Sequence, residues 1–240
     1  LQDIRIVDLS TVYSGPLAAT MLADQGAQVI KVESLEGDTS RMIGPAKGDL
    51  SATYIAANRG KRSLAMDLKQ SAAKAILLQL ITKADVLINN FRPGVMDRLG
   101  LSDAVLVQTN PRLIRLSITG FGSQGDAAQE KVYDAVIQAV AGVAATQRNP
   151  INGQPTVLAT ALCDKLTALN ASQAVVAALY AREKDGQGRR IDLSMLDATL
   201  AFQWPDAMYN HVFLDDAPAV FPEFGINQKP WVTQDGLVAT

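Results

Sequence analysis

Ile4-Arg-Ile-Val-Asp-Leu9, Ser14-Gly-Pro16 and Gln28-Val-Ile-Lys-Val-Glu33 decide the fold. The first run is short and apolar, which predicts a buried strand. Ser14 is a candidate helix cap, and Pro16 fits the first turn, where its missing N–H breaks no helical bond. The helix runs to about Gln25 and Gly26 stops it. Gln28–Glu33 is then a second strand. A strand, a helix and a second strand in quick succession open a mostly parallel sheet.

Working outward, a Gly/Asp/Pro-rich loop extends to about Ser51 and Ser63–Leu68 is a third strand. Ser71–Lys83 has apolar residues at three- and four-residue spacing and is a helix. Asp85–Asn89 and Leu113–Ser117 supply two further strands. Beyond Gly122 the expectations are a helix over Val132–Gly142, a long alanine-rich helix over Leu162–Lys184, a strand at Arg190–Ser194 and a helix from Met195 to about Asn210. The whole reads as α/β, a mostly parallel sheet with flanking helices. From Ala217 onward, Pro, Gly and aromatic residues mark a linker into a second unit. Trp231–Thr240 reads as a hairpin turning at Asp235-Gly236 and interrupted in its second strand. With Leu1 as first residue, this leads us to expect a truncated chain.

Of the 240 residues, 48% are hydrophobic and 19% charged, with a net charge of −2. That balance, without a basic block, favours neither nucleic acid nor an anionic membrane as partner. No apolar run is long enough to span a bilayer, and no signal peptide opens the chain. The single cysteine, Cys163, forbids an internal disulfide and fits a reducing, cytoplasmic setting. With one cysteine and one histidine, His211, no Cys/His zinc site can be built, so no metal is expected.

Glu33 ends the second strand where a dinucleotide fold places its ribose-binding acid, but no G-x-G-x-x-G precedes it. Walker A and G-x-S-x-G sequences are also missing. Cys163 at a helix start could be an activated thiol, yet no base accompanies it in sequence, and a small buried thiol is the plainer reading. His211 reads as an ordinary residue near a helix end. Asp164, in Thr160-Ala-Leu-Cys-Asp-Lys-Leu-Thr167, opens the long helix. An N-cap explains it locally. The same position suits a nucleophilic carboxylate, because the helix end favours the ionised form against the rise that burial causes.

Several segments in order and spacing resemble the class III CoA-transferases, the formyl-CoA transferase and L-carnitine CoA-transferase (CaiB/BaiF) family. They are Val7-Asp-Leu-Ser10 with Gly15-Pro16, Gly26–Glu33, Asn58–Leu64 leading to Asp67-Leu-Lys69, and Ala84–Gly94 with Arg98–Leu101. Asn110–Ile114, Thr119–Gly122 and Gly186–Ala198 complete the set, over about the first 200 residues.

The resemblance implies a Rossmann-like CoA-binding large domain over residues 1–205, with a linker and the start of a truncated small domain over 206–240. It implies coenzyme A as thioester substrate, an acyl-CoA donor, a carboxylic acid acceptor, and an intertwined homodimer. It places Asp164 as the catalytic aspartate. Tyr13 and Ser14 fall beside the thioester arm, Met66 against the adenine, Asn90, Phe91 and Arg98 around the CoA nucleotide, and Lys131 and Tyr133 near the CoA and the reacting centre. Ser34 stands where formyl-CoA transferase has an arginine. Cationic help for the phosphates is then expected from Arg41, Lys61, Arg62 or Arg98. Two other readings stay open. One is an α-methylacyl-CoA racemase-type enzyme, in which a histidine stands where this chain has Tyr133; tyrosine titrates near roughly 10, far from neutral proton transfer. The other is an inactive CoA-binding protein.

Overall fold

Ile6 and Val7, adjacent in sequence, are buried on opposite faces of one sheet. The computed structural model describes residues 1–149, 152–213, 221–222, 231–232 and 234–238. The chain begins with β1 (Arg5–Asp8), α1 (Ser14–Asp24) and β2 (Gln28–Glu33). A two-residue hairpin pair, β3 (Ala46–Lys47) and β4 (Leu50–Ser51), then leads into α2 (Ala52–Asn58) and β5 (Lys61–Ala65). Next come α3 (Ser71–Ile81), β6 (Val86–Asn89), α4 (Val95–Arg98), α5 (Asp103–Thr109) and β7 (Ile114–Thr119). The second half has α6 (Asp134–Val140), α7 (Val143–Thr146), α8 (Leu162–Asp185), β8 (Arg190–Ser194) and α9 (Met195–Ala207).

The sheet order is β5-β2-β1-β6-β7-β8, and every neighbouring pair is parallel. This is the doubly wound α/β arrangement, whose strand order reverses between β1 and β6. Both faces are covered, so β6 is buried along its whole length and β1 along most of its own, whereas β7 alternates buried and half-buried residues. Ile6, Val86, Ile88, Ile114, Leu116 and Ile118 pack with α1, α8 and the start of α9 on one side. Val7, Val32, Leu87 and Leu113 pack with α3 and α5 on the other. Ala168, Ala171, Val175 and Ala178 form one buried stripe of α8; their small size lets that helix lie close to α1. Gly186, at φ +74°, ends α8 in the left-handed conformation that glycine adopts without a Cβ clash.

Most expected elements are present, with differences. The third sheet strand is Lys61–Ala65 rather than Ser63–Leu68, because it pairs residue for residue with β2 and the chain leaves the sheet at Met66. The loop before Ser51 holds a 3-10 turn and the β3–β4 hairpin, and Ser51 caps α2 by accepting from the Tyr54 amide. Ser14 is not a cap. Tyr13 precedes the first helical residue, and Ser14 lies within the helix with its donors directed elsewhere. The 231–240 region does contain a hairpin: β9 (Trp231–Val232) pairs antiparallel with β10 (Leu237–Val238). The linker expected from Ala217 lies largely outside the described residues.

Candidate active site

The carboxyl ends of β1, β2, β5, β6 and β7 open onto two adjoining cavities at the point where the strand order reverses. Thr11 and Phe91 border both. The first, about 380 Å³, has an apolar floor of Leu9, Val32 and Met66, flanked by Leu68, Val95 and Leu99. The second, about 230 Å³, gathers Tyr13, Ser14, Asn90, Phe91, Lys131, Tyr133 and Asp164. Seven of the nine residues singled out in the sequence thus meet in one cavity, although they come from four separate stretches of chain. Met66 lies in the adjoining one. Arg98 is exposed at the end of α4; Val95 and Leu99 on either side of it line the first cavity, but Arg98 does not.

Asp164 sits in the first turn of α8, two residues after the helix begins, so it is not the N-cap. Ala161 holds that position and cannot cap with its side chain. The missing acceptor comes from another helix: Asp134 Oδ1 accepts the Asp164 amide at 2.9 Å. Asp134 in turn accepts from Gln138 Nε2 at 2.6 Å, and Gln138 pins the segment before α8 through Leu158 and Thr160. Sequence reading missed Asp134 because its capping bond spans 30 residues. Met195, at the head of α9, and Arg92 complete the lining.

Burial pushes the Asp164 carboxyl up and the Asp134 charge adds to it, to about 6. Ser14, lining the same cavity, offers a hydroxyl and an amide that pull the other way. Burial therefore holds the carboxyl above its ordinary value even in the first turn of a helix. At neutral pH the group is still roughly nine-tenths ionised. Chemistry that needs the carboxylate should rise with pH through about 6 and level off above it. A pH profile of kcat/KM measures this, and Asp134→Asn, which keeps an acceptor for the helix amide but removes the charge, should move the rise to lower pH.

The neighbouring Cys163 thiol is fully buried and burial pushes it up to about 11, so it is inert at neutral pH. Of the cations considered for an anionic ligand, two are already engaged. Arg41 makes paired hydrogen bonds to Glu33 at 2.9 and 2.8 Å and stacks on Tyr54. Lys61 is buried against Asp8. Arg62 and Arg98 remain exposed, and Lys69 and Arg92 line the first and second cavities.

A doubly wound sheet with a partly buried acid beside its switch-point cavity defines an α/β protein built for chemistry at its strand ends. The chain belongs to CoA-transferase family III, whose pattern matches residues 1–239. It is 45% identical over 201 residues to an acetyl-CoA:oxalate CoA-transferase of Acetobacter aceti, covering 83% of this chain and 51% of that one. It is 37% identical over 203 residues to the human succinyl-CoA:glutarate CoA-transferase, covering 84% and 46%. A CaiB/BaiF family protein from Brucella suis superposes with a TM-score of 0.86 at 33% identity, over 98% of this chain and 64% of that one. The chain spans about half the length of these curated relatives.

Proposed function

We propose that the protein is a CoA-transferase that moves CoA from an acyl-CoA to a carboxylic acid, with Asp164 as the group that carries the acyl unit. The observation that supports this most is the half-buried Asp164 carboxylate lining a cavity that adjoins an apolar-floored one. That division suits a substrate with an aromatic nucleotide end and a thioester end. Met66 and Phe91 would contact the adenosine part, with Asn90 and Arg98 at the nucleotide. Tyr13, Ser14, Lys131 and Tyr133 would line the thioester arm.

The ionised Asp164 attacks the donor thioester, giving a mixed anhydride and CoA thiolate. The thiolate attacks the aspartyl carbonyl, freeing the donor acid and leaving an aspartyl-CoA thioester. The acceptor carboxylate then attacks that thioester, and the returning thiolate completes the new acyl-CoA. Each nucleophile is already an anion, so no histidine base is required. Acylation also removes the negative charge of Asp164 from beside Asp134, which favours bond formation over the buried, repelled ground state.

The reading also implies an intertwined homodimer in the cytoplasm, and a large domain to about residue 205 followed by the start of a smaller one. The test is a panel of acyl-CoA donors and acid acceptors with the intact protein, followed by hydroxylamine trapping and mass analysis of the Asp164 peptide. A hydroxamate on Asp164 is expected. Exchange of hydrogen next to the thioester without acyl transfer would instead indicate a racemase. Arg98→Ala should weaken CoA binding about tenfold, the worth of one charge-assisted phosphate contact, and leave kcat unchanged. Isothermal titration with CoA measures it.

A further inference from the structure

Among the described residues Val12 is the one non-glycine with positive φ, +68°. A β-branched side chain rarely adopts that conformation, and it persists only where the surroundings impose it. Here they do. The Ser10 amide donates to Asp8 at 2.9 Å, and the Ser10 carbonyl accepts from Lys31 Nζ at 2.7 Å. The Thr11 amide donates to Asn90 Oδ1 and its carbonyl accepts from Asn90 Nδ2, both at 2.8 Å. The Val12 amide donates to both oxygens of Asp38, at 3.1 and 3.2 Å. Asp38 is itself fixed by Lys31 at 2.9 Å, with both side chains essentially inaccessible, and by the amide and hydroxyl of Ser40. Directly after Val12 come Tyr13 and Ser14, and Ser14, the first residue of α1, lines the same cavity as Asp164. Gly15 follows so close to Ser10 that a Cβ there would stand 2.3 Å from the Ser10 Cβ. The turn thus has little freedom to settle elsewhere.

We propose that the buried Lys31–Asp38 pair is a positioning device for the reacting carboxylate: it holds Val12 in the left-handed conformation and thereby sets the Ser14 donors on Asp164. The inference rests on the reading that Asp164 is the acyl carrier. Without the hold, Val12 relaxes to negative φ, the donors swing away, and the carboxylate loses the interactions that oppose burial. Asp134 from α6 is then left as the main charge facing Asp164, with Lys131 and Tyr133 across the cavity and Cys163 beside it on α8. Lys165 is turned to Thr160.

The experiment is a carbon NMR titration of the Asp164 carboxyl in the intact protein, alongside the pH–rate profile. Asp38→Asn should move the titration up by about half a pH unit or more and lower kcat at neutral pH about tenfold. Adding Val12→Gly to Asp38→Asn should bring both back toward the parent, since glycine adopts positive φ without being held. Val12→Pro leaves the Lys31–Asp38 pair intact while excluding both the donor and the conformation. It should reproduce the shift, and it decides the matter if Asp38→Asn does not fold. A folded Asp38→Asn or Val12→Pro protein whose Asp164 titrates as in the parent overturns the proposal, even if kcat falls. Failure to trap an adduct on Asp164 would instead refute the acyl-carrier reading, and the titration would still report on the positioning.

Discussion

Asp164→Asn should abolish CoA transfer, by roughly 10⁴-fold or more in kcat, and at the same time make the protein more stable at pH 7. The asparagine keeps the shape and an acceptor for the Ser14 donors, but it cannot form the anhydride. The gain in stability has a separate cause. Burial and the charge of Asp134 raise the folded-state carboxyl from 3.8 to about 6, so the folded protein carries an unfavourable charge at neutral pH. For an acid with a raised pKa the folded state binds the proton more readily. The penalty is therefore absent below about 3.8, grows as the pH rises to about 6, and is full above that. The limit is about 3 kcal/mol. Because the carboxyl lines an open cavity, solvent should reduce this to about 1–2 kcal/mol. Thermal unfolding of both proteins at pH 4 and pH 7.5 measures the effect, which should be large at the higher pH and small at the lower. Parental turnover by Asp164→Asn would show that the carboxylate is not the acyl carrier, and the lack of a pH-dependent gain would show that it is not under electrostatic load.

The elements that sequence reading placed well are those whose signals are local. The long helix was legible over Leu162–Lys184 because its alanines, valine and leucine repeat at helical spacing and Gly186 follows; the observed helix is Leu162–Asp185. β6 and β7 were legible as short apolar runs between polar turns. β5 was misplaced by a few residues because it is an edge strand of charged and polar residues, Lys61-Arg-Ser-Leu-Ala65, with little hydrophobic pattern to fix its register. Lys31 illustrates a harder case. Nothing in Gln28-Val-Ile-Lys-Val-Glu33 announces that the Lys31 side chain is 1% exposed and paired with Asp38, which comes from what reads as a mere Gly/Asp/Pro loop. Asp134 was invisible for the same reason: the bond that matters reaches a helix 30 residues away. Site residues came chiefly through family resemblance. Local physics could nominate Asp164 but not distinguish a cap from a nucleophile. Tertiary structure removes the cap reading, because Asp134 accepts the Asp164 amide.

Lys61→Met should destabilise the protein by about 3–5 kcal/mol, the largest loss expected from any single surface-sparing change in this network. The Lys61 ammonium has 2% exposure and each of its three protons has an acceptor: Asp8 Oδ2 at 2.9 Å, the Pro16 carbonyl at 2.7 Å and Asn58 Oδ1 at 2.9 Å. Asp8 is completely inaccessible. Burial pushes its carboxyl up, but Lys61 and then Lys31 more than reverse that, and it is held below its ordinary range. Lys61 does not gain equally: burial lowers its pKa further than Asp8 restores it. The two directions together describe mutual dependence rather than net stabilisation. Removing one member strands the other charge in the core, whereas replacing both need not. Asp8→Leu with Lys61→Met should therefore recover much of the loss, and the double-mutant cycle should be strongly non-additive. The sign with pH follows from Asp8. Its depressed pKa contributes stability above about 3.8 that is lost as the pH falls, so the difference between parent and Lys61→Met should shrink in acid. Denaturant unfolding at neutral and acidic pH measures each part. Function is coupled to the same pair, since Asp8 also holds the Ser10 amide at 2.9 Å at the start of the turn that carries Ser14. A Lys61→Met protein as stable as its parent would mean that Asp8 takes up a proton or a water in place of the lysine, and the strand ends would then not depend on this pair.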